Sequence, residues 1–184
     1  MKQKPAVIKR EIIAQTRVFK VEAMNLEFSN GQQRQYERLV GSERGAVLIV
    51  AKPSDSSVLL ISEYAAGMDR YELAFPKGKI DPGESALEAA NRELREETGY
   101  AANRLTHISS MTVAPGYLGH TTHIVLAEDL YESPTEGDEP EPLEVSEWTF
   151  AQIPELLRRD DFTEARSIAA LYQARDLSRH PQID

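Results

Sequence analysis

The sequence of 184 residues contains no cysteine and no apolar run of 18 residues. Without cysteine, the chain has no disulfide framework, no thiolate metal site and no cysteine nucleophile. Without a long apolar run, it offers no candidate transmembrane helix. The first ten residues also lack the apolar core of a secretory signal. These absences predict a soluble, cytoplasmic protein with no membrane partner.

Positive charge is scarce as well. The chain has 21 Lys and Arg against 30 Asp and Glu, for a net charge of −9. Residues 105–157 contain ten acidic residues and no Lys or Arg. This balance argues against duplex nucleic acid as a partner, because phosphate contacts need a basic surface. An acidic chain can still handle a phosphorylated compound when a divalent cation lies between the two.

The apolar pattern predicts more strands than helices. The first 40 residues read as three antiparallel strands, with an Asn30-Gly31 turn before the third. Buried strands are predicted at 46–50 and 58–61, and helices at 85–98 and 162–177. The other predicted strands are 71–73, 105–113, 121–127 and 145–148. The prediction is an α/β protein, with a mixed sheet sandwiched between helices. It has an N-terminal antiparallel unit at 1–44 and a second domain at 45–184.

The helix predicted at 85–98 is specified at both ends. Ser85 and Glu88 form a capping box, and Gly99 stands where a left-handed cap needs glycine. At 100° per residue, the predicted buried stripe is Leu87, Ala90 and Leu94.

Glu93, Glu96 and Glu97 lie together on the adjoining face of this helix, where they repel one another. Two interpretations are open. The first is a solvated face relieved by Arg92 and Arg95. The second is a site for hard cations, because oxygen-only clusters suit Mg²⁺ or Mn²⁺.

The residues around this helix favour the second interpretation. From Gly78 to Tyr100, the sequence resembles the Nudix box, Gly-x5-Glu-x7-Arg-Glu-U-x-Glu-Glu-x-Gly-U, where U is bulky and apolar. Every fixed position and both spacers match. The resemblance implies the Nudix fold from residue 46 onward. It also implies hydrolysis of a nucleoside diphosphate linked to another group, with bound Mg²⁺ or, as a second candidate, Mn²⁺.

The resemblance also assigns roles to single residues. Glu93 and Glu97 are the main metal ligands and count among the catalytic candidates. Glu96 ligates directly or through water, and Glu84 is an auxiliary ligand or orienting group. Arg92 pairs with a box glutamate, and Gly78 lets the backbone approach the metal. In the ADP-ribose branch of the family, the carbonyl before the box glycine, here that of Lys77, ligates too.

The choice of substrate depends on residues outside the box. Pro115 is 15 residues beyond Tyr100, as in the ADP-ribose type, and Tyr117 resembles a tyrosine of diadenosine polyphosphate hydrolases. Together they resemble the bacterial ADP compounds hydrolase type. The implied substrates are ADP-ribose, NADH and diadenosine polyphosphates, cut to AMP and a phosphorylated remainder. The candidate substrate-binding residues are Arg38, Arg44, Glu72 and Tyr117.

The sequence offers several candidates for the catalytic base. Where related pyrophosphatases commonly place a glutamate five residues after the proline, this chain has His120. Glu139 or Glu141, in the acidic segment at 134–142, is the preferred base. His120 and a box glutamate are the alternatives.

The branch resemblance further implies that the N-terminal unit swaps between protomers, which predicts a homodimer. A function of another class stays open, a Nudix-fold regulator that binds a nucleotide without cutting it. The complete set of box glutamates favours the enzyme over this regulator.

Overall fold

The computed structural model describes residues 2–42, 44–137 and 139–179. In these ranges the chain forms two compact units. Unit 1 consists of residues 2–42 and 112–121, and unit 2 contains the remaining described residues. The sequence prediction had divided the chain at residue 44 and had placed 112–121 with the second domain.

The regular elements follow one another in the order β1 (Ala6–Gln15), β2 (Lys20–Glu27), β3 (Gln33–Val40), β4 (Ala46–Ala51), β5 (Ser57–Ala65), β6 (Arg70–Ala74), β7 (Lys77–Lys79), α1 (Ala86–Thr98), β8 (Tyr100–Met111), β9 (Leu118–Gly119), β10 (Thr122–Glu132), β11 (Glu144–Thr149), a 3₁₀ turn (Phe150–Gln152), α2 (Ile153–Leu156) and α3 (Ala165–Arg179).

Unit 1 is one sheet in the order β1-β2-β3-β9. The three predicted N-terminal strands are confirmed, as is the turn at Gly31, whose φ of 79° suits a glycine. The sheet is four-stranded rather than three-stranded, because β9 pairs in parallel with β3. Leu39 N–H donates to the carbonyl of Tyr117 at 2.7 Å, just before β9 begins.

Unit 2 contains two sheets between helices, in the orders β7-β4-β10-β8 and β11-β5-β6. In the first sheet, β10 runs parallel to β4 and antiparallel to β8. The predicted α/β class with a mixed sheet is therefore confirmed, and the strands divide between two sheets rather than one.

The burial of strand β4 explains why helices pack against both faces of its sheet. All six of its residues are buried, and alternate side chains point to opposite faces of a sheet. Leu48 and Val50 pack into a core with α2 and α3, whereas Val47, Ile49 and Ala51 pack into a core with α1. A strand buried on both faces reads as a continuous apolar run, as predicted.

Several predicted boundaries differ from the structure, and the helix predicted at 162–177 is α3, which begins at Ala165 and ends at Arg179. The predicted loop at 75–83 contains β7, which pairs with β4, and β8 begins at Tyr100 rather than at residue 105. Tyr100 and Ala101 pair with Glu132 and Tyr131, so β8 and β10 are both longer than their apolar patterns suggest.

Candidate active site

Helix α1 begins and ends where its sequence signals predict. Ser85 accepts a hydrogen bond from Glu88 N–H, and the Glu88 carboxylate accepts one from Ser85 N–H at 2.8 Å. Gly99 adopts a left-handed conformation with φ 78° and donates to the carbonyl of Arg95. Both ends are thus fixed locally, which sets the register of every side chain between them.

The buried face of α1 differs from the predicted stripe in one residue. Ala90 and Leu94 are buried, but Leu87 is 37% exposed, so its predicted burial was wrong. In the first turn, Ala86 is half-buried and packs against the core, whereas Leu87 and Glu88 are exposed. At the other end, Glu97 lies in the buried face with an exposure of 7%.

Glu97 is a carboxylate held against backbone. Its Oε2 accepts a hydrogen bond from Lys77 N–H at 2.9 Å. The pKa of Glu97 is raised from 4.5 to about 8, chiefly by burial and to a smaller extent by the charges of Glu93 and Glu63, whereas Lys77 opposes the rise. Without a cation, Glu97 is therefore mostly protonated at neutral pH.

Glu93 lies against the backbone of β7. A Cβ placed on Gly78 would overlap the Glu93 carboxylate. The absence of a side chain at Gly78 therefore leaves space for the Glu93 carboxylate. The predicted role of Gly78, the approach of the backbone to a metal, stays a prediction.

Arg92 organises the other carboxylates. Its Nε and Nη2 donate to the two oxygens of Glu84 at 2.8 and 3.0 Å, a bidentate pair. Its Nη1 donates to Glu93 at 2.7 Å and to Glu96 at 3.1 Å, and its Nη2 also donates to the carbonyl of Lys79. The Arg92 hydrogen bonds lower the pKa of Glu84. Arg92 thus pairs with three box glutamates rather than one.

A cavity of about 550 Å³, here called the carboxylate cavity, opens beside these groups. Three of the predicted metal ligands, Glu93, Glu96 and Glu97, line it, and so does Lys77. Glu84 does not belong to its lining, which favours the orienting role over the ligand role for this residue. The other lining residues are Glu63, Gly78, Lys79, Asp81, Arg92, Glu136, Gly137 and Glu139.

The donor set of this cavity fits a hard divalent cation. It offers carboxylates and backbone carbonyls but no sulfur, which is the chemistry of Mg²⁺ or Mn²⁺ sites. In the described ranges, no three His, Asp or Glu side chains converge on one point as ligands. The reason is visible in the hydrogen bonds: Arg92 draws Glu93 and Glu96 toward itself, and Glu97 bonds to the Lys77 backbone.

Sequence reasoning missed three of the acids in the lining, namely Glu63 on β5, Asp81 before α1 and Glu136. Each comes from a different segment, so no spacing rule connects it with the α1 glutamates. Lys77 was predicted only through its carbonyl, yet its side chain also forms an ion pair with Glu63.

The candidate bases are placed differently. The acidic loop, residues 133–143 between β10 and β11, brings Glu139 into the lining of the carboxylate cavity. Glu141 lines a different cavity of about 360 Å³ with Ser62 and Tyr71. Only one of the two preferred bases therefore faces the box glutamates.

Both carboxylate oxygens of Glu72 bond to neighbouring side chains of the fold. It is 7% exposed; one of its oxygens pairs with Arg70 at 2.5 Å, and the other accepts from the Thr163 hydroxyl at 3.0 Å. Because both oxygens are occupied, Glu72 ties β6 to the segment before α3. Its predicted contact with substrate stays a prediction.

Three of the other candidates belong to unit 1. Arg38 forms an ion pair with Glu22 at 2.8 Å, Tyr117 is 59% exposed, and His120 follows β9 directly. Arg44 is exposed in unit 2, just before β4. Their predicted roles toward substrate or as a base stay predictions.

Comparison with known proteins decides the family. The profile of the NUDIX domain matches residues 42–172, and the NudE-type Nudix hydrolase N-terminal domain matches residues 5–38. The chain belongs to the Nudix family. The resemblance of the box is thereby confirmed, and the Nudix fold with it.

Relatives of this Nudix chain match it over nearly its whole length. The ADP compounds hydrolase NudE of Escherichia coli (strain K12) is 49% identical over 174 residues, covering 95% of this chain and 93% of the relative. The ADP-ribose pyrophosphatase of Bacillus subtilis (strain 168) is 30% identical over 166 residues, or 89% of each chain. A crystal structure of an ADP compounds hydrolase superposes with a TM-score of 0.89 at 47% identity, covering 100% of this chain and 99% of that one.

Two other predictions concern the metal ion and the membrane. This chain is a Nudix hydrolase, and Nudix hydrolases generally need a divalent metal ion. Among the described residues, no helix is long and apolar enough to cross a membrane.

Proposed function

We propose that this chain hydrolyses the pyrophosphate bond of ADP-linked compounds with Mg²⁺, and that it releases AMP and the phosphorylated remainder. The candidate substrates are ADP-ribose, NADH and diadenosine polyphosphates. The observation that carries the proposal is the carboxylate cavity, into which α1 directs Glu93, Glu96 and Glu97. The names of the two similar enzymes support the choice of ADP-linked compounds.

The residues of the cavity divide the work between them. Glu93, Glu96 and Glu97, with the Lys77 carbonyl, would hold the divalent ion. When bound, the ion neutralises a diphosphate and lowers the pKa of a bound water. Arg92 keeps Glu93 and Glu96 in fixed positions, and Glu84 keeps Arg92 in place through its bidentate pair.

Glu139 is the base in this proposal. It is half-buried, carries a carboxylate and lines the same cavity as the three box glutamates. A carboxylate in this position can accept a proton from the attacking water. Glu141 lines another cavity, so it does not share these surroundings.

A substrate panel tests the function. The chain is incubated with ADP-ribose, NADH and diadenosine triphosphate in Mg²⁺, in Mn²⁺ or in chelator, and the products are separated by chromatography. We expect AMP with either metal and none in chelator. Glu139→Gln should lower kcat by at least about a hundredfold, as loss of a positioned base does, with unchanged binding of a non-hydrolysable analogue.

The competing function is a regulator that binds these ligands without cutting them. Calorimetry in Mg²⁺ separates the two functions. Binding of ADP-ribose without turnover would support the regulator and refute the enzyme. The complete set of box glutamates, three of which line one cavity, favours the enzyme.

The homodimer belongs to the same proposal. Strand β1 lies at the edge of its sheet, and all ten of its residues are exposed. Three of them are large and apolar, since Ile8, Ile12 and Ile13 are each about half exposed. An apolar edge of this kind favours pairing with another chain. Sedimentation at micromolar concentration should give a dimer, and Ile12→Lys should shift it toward monomer. The cytoplasmic location stays a prediction.

A further inference from the structure

The acidic loop carries the proposed base but has no regular structure of its own. Every described residue of 133–143 is irregular, and the loop brings Glu136, Glu139 and Glu141 onto one short segment. Glu136 and Glu139 line the carboxylate cavity together with Glu93 and Glu97. Like charges at these positions repel the loop from α1, so its position needs another source of restraint.

The start of the loop is fixed to α1. Ser133 N–H donates to the carbonyl of Gly99 at 2.8 Å, and Arg95 donates to the carbonyl of Ser133 at 3.1 Å. Further along, a Cβ on Gly137 would lie 3.2 Å from the Cβ of Glu96, so the loop runs close over the helix there.

The far end of the loop is held by a tyrosine. The hydroxyl of Tyr71, on β6, donates a hydrogen bond to Oε1 of Glu141. The ring of Tyr71 packs edge-on against Tyr64 of β5, with centroids 5.6 Å apart and an angle of 70°. Tyr64 in turn donates to Asp69 at 2.5 Å. The donor therefore projects from a paired strand with its ring already supported.

The chemistry of the donor suits its location. A lysine or arginine would also bind Glu141, but its charge would attract the acids of the cavity. A neutral hydroxyl fixes the loop without adding a cation. Glu139 is two residues from Glu141, so their Cα atoms are at most about 7 Å apart. Restraint at Glu141 is therefore restraint at Glu139.

We propose that Tyr71 is a positioning residue of the reaction: its hydrogen bond to Glu141 keeps Glu139 at the carboxylate cavity. This inference rests on the proposed function, in which Glu139 is the base. Tyr71 acts only through Glu141, and Glu141 is thereby an anchor of the loop rather than a second base.

The first test is Tyr71→Phe, which keeps the ring and removes only the hydroxyl. We expect kcat to fall about tenfold to a hundredfold, as for a small misplacement of a reacting group, while KM changes less than about twofold. Hydrogen exchange at residues 134–142 should become faster. Tyr64→Phe is the matched control, because its hydroxyl bonds to Asp69 and not to the loop.

The second test separates an anchor from a base. Glu141→Ala should lower kcat as much as Tyr71→Phe, and the double variant should be no worse than either, because both break one hydrogen bond. Glu141→Gln retains an acceptor for Tyr71, so it should restore most of kcat and the slow exchange. A loss in Glu141→Gln equal to that in Glu141→Ala would overturn the inference, because the charge itself would then matter.

The readouts keep this inference apart from the proposed function. If the unaltered chain cuts nothing in the substrate panel, the proposed function fails. If it is active but Tyr71→Phe leaves the loop exchange or kcat unchanged, the positioning role of Tyr71 fails and the proposed function stands.

Discussion

Glu97 should make the metal-free protein less stable as the pH rises. Its pKa lies at about 8 in the folded chain against an ordinary value of 4.5. Between these two values, the folded state holds a proton that the unfolded state has released. The folded state therefore binds more protons there, and the free energy of unfolding falls with increasing pH.

The size of this effect follows from the same two values. At 1.36 kcal/mol per pH unit, the loss approaches about 5 kcal/mol well above pH 8. Between pH 5.5 and pH 8 it amounts to about 3 kcal/mol. The glutamine in Glu97→Gln cannot ionise. Over this interval, we therefore expect the free energy of unfolding of the wild type to fall by about 3 kcal/mol more than that of the variant.

Urea unfolding in chelator at several pH values measures the difference. All other titrating groups are common to both proteins, so the difference between their curves isolates Glu97. Glu147→Gln, which changes an exposed carboxylate of β11, is the control and should follow the wild type. Saturating Mg²⁺ should stabilise the wild type more than Glu97→Gln, because the ion favours the ionised carboxylate. Parallel curves for wild type and Glu97→Gln in chelator would refute the buried, protonated state of Glu97.

Three further predictions concern α1 and its neighbours. Gly78→Ala should displace the Glu93 carboxylate, lowering Mg²⁺ affinity in calorimetry and kcat together, with a loss of about 1–3 kcal/mol in urea unfolding. Ser85→Ala removes the N-cap and should cost about 1 kcal/mol in the same assay without changing KM. Leu94→Ala should cost about 2–5 kcal/mol, whereas Leu87→Ala, at a residue that is 37% exposed, should cost less than about 1 kcal/mol; equal losses would contradict the packing described for α1.

Local signals accounted for much of the fold. The capping box at Ser85 and the glycine at Gly99 fixed both ends of α1, because capping depends on neighbours within a few residues. The continuous apolar run of β4 identified a strand buried on both faces. The short strands β7 and β9 were not predicted, because two or three residues carry no periodicity and their pairing partners lie elsewhere in the chain.

The candidate site was predictable where one helix carries it. The spacing of Glu93, Glu96 and Glu97 placed them on one face, and all three line one cavity. Glu63 comes from β5, which only tertiary contacts bring to the site, and Asp81 occupies a position that the box pattern leaves open. The sequence also could not distinguish Glu139 from Glu141 as the base. Both lie on an irregular loop without periodicity, and only the path of that loop in the fold decides which of them lines the carboxylate cavity.

The parallel pairing of β3 with β9 bears on the order in which the protein can be completed. Synthesis delivers the first three strands early, but the segment that pairs with Leu39 and Val40 at the end of β3 emerges some 80 residues later. A nascent or truncated chain ending soon after residue 43 would leave the backbone groups of Leu39 and Val40 open to any extended peptide nearby. Fragments of the N-terminal region are thus expected to aggregate, and a design that isolates this sheet needs residues 112–121 grafted beside it.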